Sequence, residues 1–214
     1  MKIEAGKSVF NANEKQAARN VDRLQELKLT AINVMASPGA GKTSLIVHLL
    51  KSLPRELSVG VIEGDIASSI DTDRIKGLGF PAIQINTGGG CHLNATMVSN
   101  ALAGLDVKGP GLLFIENIGN LICPAEFNLG EALRMVVANV AEGDDKPVKY
   151  PAMFSTADLV ILNKVDLLSL VEFKMDFFEA GVRAVNETAP IFKISCRSGD
   201  GIDAVRDFLL AKQN

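Results

Sequence analysis

The chain has 214 residues, 47% of them hydrophobic, and a formal net charge of -3. That is enough apolar material for one sizeable core, and the weakly acidic balance offers no basic surface to nucleic acid or an anionic membrane. No apolar run approaches the roughly 18 residues of a membrane span, and the opening residues lack a signal-peptide core. Three cysteines form no disulfide framework, so a reducing cytoplasm is the expected location.

In chain order, 13–27 carries Ala17, Val21, Leu24 and Leu27 at helical spacing. Residues 1–29 are therefore expected as an N-terminal helical segment packed on a single domain, 30–214. Short β-rich runs follow at 31–35, 58–62, 82–85, 111–115, 159–162 and 191–194. Helical stretches at 93–105, 173–186 and 201–210 separate several of them. The run 132–140 fits helix or strand, because Met135, Val136 and Val137 suit both. Strands alternating with helices predict an α/β fold: a mainly parallel sheet with helices on both faces.

After the first run stand Ala36, Ser37, Pro38, Gly39, Ala40, Gly41, Lys42 and Thr43, then the helical Ser44–Leu50. Strand, glycine-bearing turn, Lys-Thr and helix in that order is a P-loop. Its backbone N–H groups and helix N-terminus converge on a polyphosphate. Lys42 would reach the outer phosphates and the Thr43 hydroxyl would hold Mg2+. Gly39, Ala40, Gly41 and Ser44 complete the expected cradle. The first glycine of the usual pattern is replaced by Ala36.

The run 159–162 leads into Asn163, Lys164, Val165 and Asp166, an NKxD guanine-specificity element. One carboxylate, Asp166, accepts from both the ring N–H and the exocyclic amine of guanine, whereas adenine would leave it unpaired. The Lys164 stem covers the base and Asn163 ties the loop to the P-loop. Ser195, Cys196 and Arg197 follow the last strand, where the Cys196 N–H is expected to meet the guanine oxygen.

Glu116 ends the fourth run and Gly119 follows at the spacing of a γ-phosphate sensor. Glu63 and Asp65 at the end of the second run, with Asp71 and Asp73 in a Ser-rich loop, are further candidates; Lys42, Asp65, Asp71 and Glu116 are the expected catalytic set. Of these, Asp65, Asp71 and Glu116 join Thr43 around Mg2+. Asn120, not glutamine, follows Gly119, so unaided GTP hydrolysis is expected to be slow.

Cys91 and His92 follow three glycines after the third run, and Cys123 follows the fourth. Parallel strands bring such loops to one edge. Two thiolates and an imidazole suit Ni2+ or Zn2+, with a fourth position left for water or a second subunit.

The strings 61–65, 81–88, 91–93, 114–124, 142–151 and 163–168 together resemble the hydrogenase nickel-incorporation GTPases (HypB), relatives of the urease chaperones among the P-loop metallochaperone GTPases of SIMIBI type. The resemblance implies a GTPase that dimerises with GTP, helps load nickel into [NiFe]-hydrogenase, and works with other maturation proteins and the hydrogenase large subunit. It also implies an interface metal site at Cys91, His92 and Cys123, and a switch carboxylate at Asp71. A urease nickel chaperone is the alternative, though such relatives carry Cys-Pro-His at the metal loop. A carrier whose nucleotide only sets dimer state is another. Gly89 stands where relatives often have lysine, and without a histidine-rich tract or N-terminal multi-cysteine motif, nickel storage is not expected.

Overall fold

A computed structural model describes residues 5–213; the first four residues of the N-terminal segment, and Asn214, lie outside the described part. Helix α1 (Ala5–Glu26) leads into β1 (Leu29–Ala36), α2 (Lys42–Ser52), β2 (Ser58–Asp65), α3 (Ile70–Gly77), β3 (Ala82–Asn86) and α4 (Ala95–Gly104). There follow β4 (Gly111–Glu116), the short α5 (Cys123–Glu126), β5 (Leu133–Asn139), α6 (Lys146–Lys149) and α7 (Pro151–Ser155). The chain ends with β6 (Leu159–Asn163), α8 (Met175–Val185), β7 (Ile191–Lys193) and α9 (Ile202–Ala211).

The seven strands form one sheet in the order β3-β2-β4-β1-β5-β6-β7, every neighbouring pair parallel. Alternation along β1 shows how both faces are covered. Ile32, Val34 and Ala36 pack with Leu45, Ile46 and Leu49 of α2 and with Val205 and Leu209 of α9. On the opposite face, Ala31 joins Val98 and Leu102 of α4, while Met35 joins Phe154 of α7 and Phe178 of α8. Strands buried on both faces read as continuous apolar runs, which is why 132–140 was ambiguous. The structure resolves it as β5, hydrogen-bonded between β1 and β6.

Helix α1 docks through asparagines. Asn20, 1% exposed, donates from Nδ2 to the carbonyls of Ala95 and Leu129, each at 2.8 Å. Asn13 accepts from the Ala95 N–H at 2.9 Å and donates to the Asn128 carbonyl. Two expectations are corrected. Asp71 and Asp73 lie not in a loop but in the first turn of α3. The second strand does not stop at 62 ahead of Glu63; it runs on through Glu63 to Asp65 in pairing with β3.

Candidate functional site: a phosphate cavity, a base cleft and a thiolate cluster

From β1 the chain runs out to β2, β3 and β4 on one side of the sheet and to β5, β6 and β7 on the other. The loop after β1 therefore sits where the connections diverge, at the carboxyl edge where parallel α/β sheets bind ligands. Ala36, the departure from the glycine pattern, is the fully buried last residue of β1 and packs in the core. The special backbone lies further on: Gly39 has φ +75° and Gly41, which caps α2, has φ +102°.

A cavity of about 500 Å³ opens there. Gly39, Gly41, Lys42, Thr43, Ser44, Asp65, Asp71, Glu116 and Gly119 line it. Ala40 does not, since its side chain is fully buried, and its carbonyl instead accepts from Asn163 Nδ2 at 2.9 Å. Glu116 Oε1 accepts from the Thr43 hydroxyl at 3.0 Å and lies 3.9 Å from Lys42 Nζ. Asp65 Oδ1 accepts from the N–H groups of Ala67 and Ser68, each at 2.8 Å, and those bonds hold its carboxyl below the usual range. Asp73 does not line the cavity; its Oδ2 accepts from the Ser69 hydroxyl at 3.0 Å.

One lining residue and one pairing were not legible in the sequence. Arg74, one helical turn beyond Asp71, brings a guanidinium to the cavity wall. Glu63 on β2 is in register with Glu116 on β4 and is 3% exposed. Burial first, then the neighbouring Glu116, push the Glu63 carboxyl up to about 10. Glu116 is raised too, by burial, with Lys42 opposing. Burial thus favours a proton on the Glu63 carboxyl, which hydrogen-bonds Glu116. Glu63 Oε1 and Glu116 Oε2 are buried without a hydrogen-bond partner. The unsatisfied Glu116 Oε2, on the carboxyl that takes the Thr43 hydroxyl, is a hard oxygen of the kind Mg2+ takes, so the expected ion fits there.

Beside the phosphate cavity, a second cleft is lined by Gly39, Gly41, Ser44, Asn163, Lys164, Asp166, Leu167, Cys196 and Arg197. Asn163, 1% exposed, is its hub: its side chain holds Ala40 and accepts from the N–H groups of Lys164 at 2.7 Å and Cys196 at 3.1 Å. The Cys196 N–H expected to meet guanine is therefore already committed, and burial raises the Cys196 thiol to about 11, keeping it inert. Ser195 does not reach the cleft either. It is fully buried and donates to Asp166 Oδ1 at 2.6 Å, orienting that carboxylate. Lys164, at φ +62°, donates from Nζ to the Gly39 carbonyl at 2.8 Å.

Cys91, His92 and Cys123 do come together, with ligand atoms all within 4.8 Å of one another. The thiols are 3.2 Å apart and His92 Nδ1 lies 3.5 Å from Cys91 Sγ. Positive φ at Gly88 and Gly89 makes the turn that lets adjacent Cys91 and His92 converge. Cys123 opens α5, followed by Pro124. The His92 ring stacks on Phe127 at 3.9 Å, which in turn contacts Phe10 of α1 at 5.1 Å. Burial keeps the imidazole pKa below its ordinary value, which favours the neutral ligand form. The hydrogen bond with the Cys91 thiol holds the Cys123 thiol pKa up. Cys91 is exposed, so the cluster opens to solvent.

Comparison with known proteins places this geometry among relatives. Residues 30–193 match the CobW/HypB/UreG nucleotide-binding domain. The hydrogenase maturation factor HypB of Azotobacter vinelandii is 48% identical over 91% of the chain, and the chain spans 64% of that relative's length. HypB from Helicobacter pylori in complex with nickel superposes with a TM-score of 0.86 at 36% identity, covering 94% of this chain and 95% of that one. HypB from Archaeoglobus fulgidus gives 0.88 at 37% identity, with coverage of 95% and 100%.

Proposed function

The chain belongs to the CobW/HypB/UreG family, within it to the HypB hydrogenase maturation factors, and from that premise we propose that it binds and hydrolyses GTP and assists nickel insertion into a [NiFe]-hydrogenase. Nickel is cargo here, carried by Cys91, His92 and Cys123. The observation that carries the reading is the meeting of those three ligands beside a phosphate cavity and an NKxD cleft on one sheet edge.

In this reading the triphosphate lies along the turn 37–43, accepted by its amides and the α2 N-terminus. Lys42 shifts from Glu116 to the outer phosphates. Asp166, held by Ser195, reads the guanine edge, and the Lys164 stem covers the base. Thr43 and Glu116, with Asp65 and Asp71 of the same cavity, would hold Mg2+, which would supply charge neutralisation for the phosphates. Turnover is slow because no glutamine stands after Gly119. The Asn120 there is engaged elsewhere, its Nδ2 donating to the Cys91 carbonyl at 3.3 Å.

The open side of the thiolate cluster takes its remaining ligands from a second copy, which docks when GTP orders the segment from Asp65 to Asp73. Hydrolysis separates the copies and releases nickel to another maturation protein or to the hydrogenase large subunit. The test is a nickel titration with GDP and with a non-hydrolysable GTP analogue. Affinity or stoichiometry should differ between the two states, and identical curves would remove the coupling.

A further inference from the structure

The titration above asks whether the two sites communicate; the structure also points to the groups that carry the message. We propose that Asn117 and Asn120 are the positioning residues through which the state of the phosphate cavity sets the geometry of the thiolate–imidazole cluster. This rests on the nucleotide-linked nickel reading above.

Glu116 faces the cavity and takes the Thr43 hydroxyl. Its successor Asn117, 1% exposed, also borders the cavity, and its amide bonds to the metal loop and to β1. Asn117 Oδ1 accepts from the Leu93 N–H at 3.1 Å and from the Ile118 N–H at 2.9 Å, while Nδ2 donates to Asn33 Oδ1 at 3.2 Å. Leu93 directly follows His92. A displacement of Glu116 toward a phosphate or cation is thus handed, one residue on, to the backbone of the imidazole ligand.

Gly119 makes the same segment sensitive to the P-loop. It lines the cavity and lies so close to Pro38 that a β-carbon there would meet the Pro38 backbone at 2.9 Å. Asn120 comes next. Its Nδ2 donates to the Cys91 carbonyl at 3.3 Å, and its Oδ1 accepts from the Ile122 N–H at 2.8 Å. One amide therefore clamps the backbones that carry both thiols.

Two side chains hold Cys91, the residue after His92 and the residue before Cys123, and both sit on the five-residue segment that begins at Glu116. Coupling through packed, hydrogen-bonded groups requires such an element with two arrangements, biased from either end. The other anchors of the metal loop do not depend on these amides. The Thr87 N–H donates to the Asp65 carbonyl at 3.0 Å, and Asn94 caps α4 by accepting from the Met97 N–H at 3.0 Å. The loop therefore keeps its fold when Asn120 is truncated.

The test repeats the nickel titration on the full chain, following thiolate-to-nickel charge-transfer absorbance with GDP or the GTP analogue, for the parent, Asn120→Ala and Asn117→Ser. The parent should show at least a roughly 5-fold difference between nucleotide states, the lower end of typical couplings. Each variant should bring that ratio to within about twofold of unity, and Asn120→Ala, outside the phosphate cavity, should do so while retaining affinity for the GTP analogue. A merely structural role would weaken nickel equally in both states and preserve the ratio, and that result overturns the assignment. A parent ratio of one removes the nucleotide-linked reading itself, and the assignment with it.

Discussion

Replacing Gly41 with alanine tests whether the phosphate loop and the base loop are one steric unit. A β-carbon at Gly41 would stand 2.4 Å from Asn163 Nδ2, inside any real contact distance, on a backbone with φ +102°. Gly39→Ala is the matched control: φ is +75° and the added carbon meets nothing within 4 Å. Both variants carry the left-handed penalty of about 1–2 kcal/mol for an L-residue. Gly41→Ala must also push the Asn163 side chain away from the Ala40 carbonyl and the N–H groups of Lys164 and Cys196. Loss of such buried partners costs about 1–3 kcal/mol more. For a chain of this size, an extra 2 kcal/mol lowers Tm by roughly 4–8 °C. Thermal unfolding without nucleotide should therefore place Gly41→Ala below Gly39→Ala by that margin. Equal Tm values would refute the claim that Asn163 is wedged against the loop.

Other perturbations separate the roles of neighbouring groups. Glu63 has its folded pKa raised from 4.5 to about 10, so its contribution to stability is fully present below 4.5 and is lost as pH rises through 10. Glu63→Gln, an amide that keeps a donor toward Glu116, should gain in Tm over the parent as pH climbs from 5 to 9 in chelator; a constant gap would contradict the protonated assignment. Arg74→Ala should weaken GTP-analogue binding several-fold and soften its salt dependence, measured by fluorescent-nucleotide titration, whereas unchanged affinity would mean the guanidinium faces solvent. Phe127→Leu removes the ring stacked on His92 and should lower nickel affinity about tenfold, since outer groups that orient a ligand are worth 10–100-fold. Parent-like affinity would show that the stack does not hold the imidazole.

Six of the seven strands were legible as β-rich runs bounded by glycine, proline or polar turns, β5 alone being open to a helical reading, and the loop from Ser37 to Thr43 carries its chemistry in residue order. The cysteine–histidine cluster was legible for a topological reason: parallel strands deliver their following loops to one edge. Pairings that depend on register were not. Glu63 meets Glu116 only because β2 lies beside β4 with those residues opposite, and nothing local in either string announces it. Arg74 became visible once Asp71 was known to lie on a helix, and α3 hides as a loop because only Thr72 and Ile75 of its eight residues are buried. Ser195 and Cys196 were assigned to the base when both are used by the protein itself, on Asp166 and Asn163. Residue type alone cannot tell a ligand contact from a bond that merely holds a loop in place.

In the proposed function a guanine nucleotide, and not an adenine one, opens and closes the metal port. Calorimetric titration of the purified chain with GTP and ATP, side by side in Mg2+, addresses that directly. Asp166 should be matched by the guanine edge and left unpaired by adenine once the base covers it, a mismatch worth at least about 100-fold in affinity. The account predicts GTP tighter by that factor or more; equal affinities for the two triphosphates would contradict it.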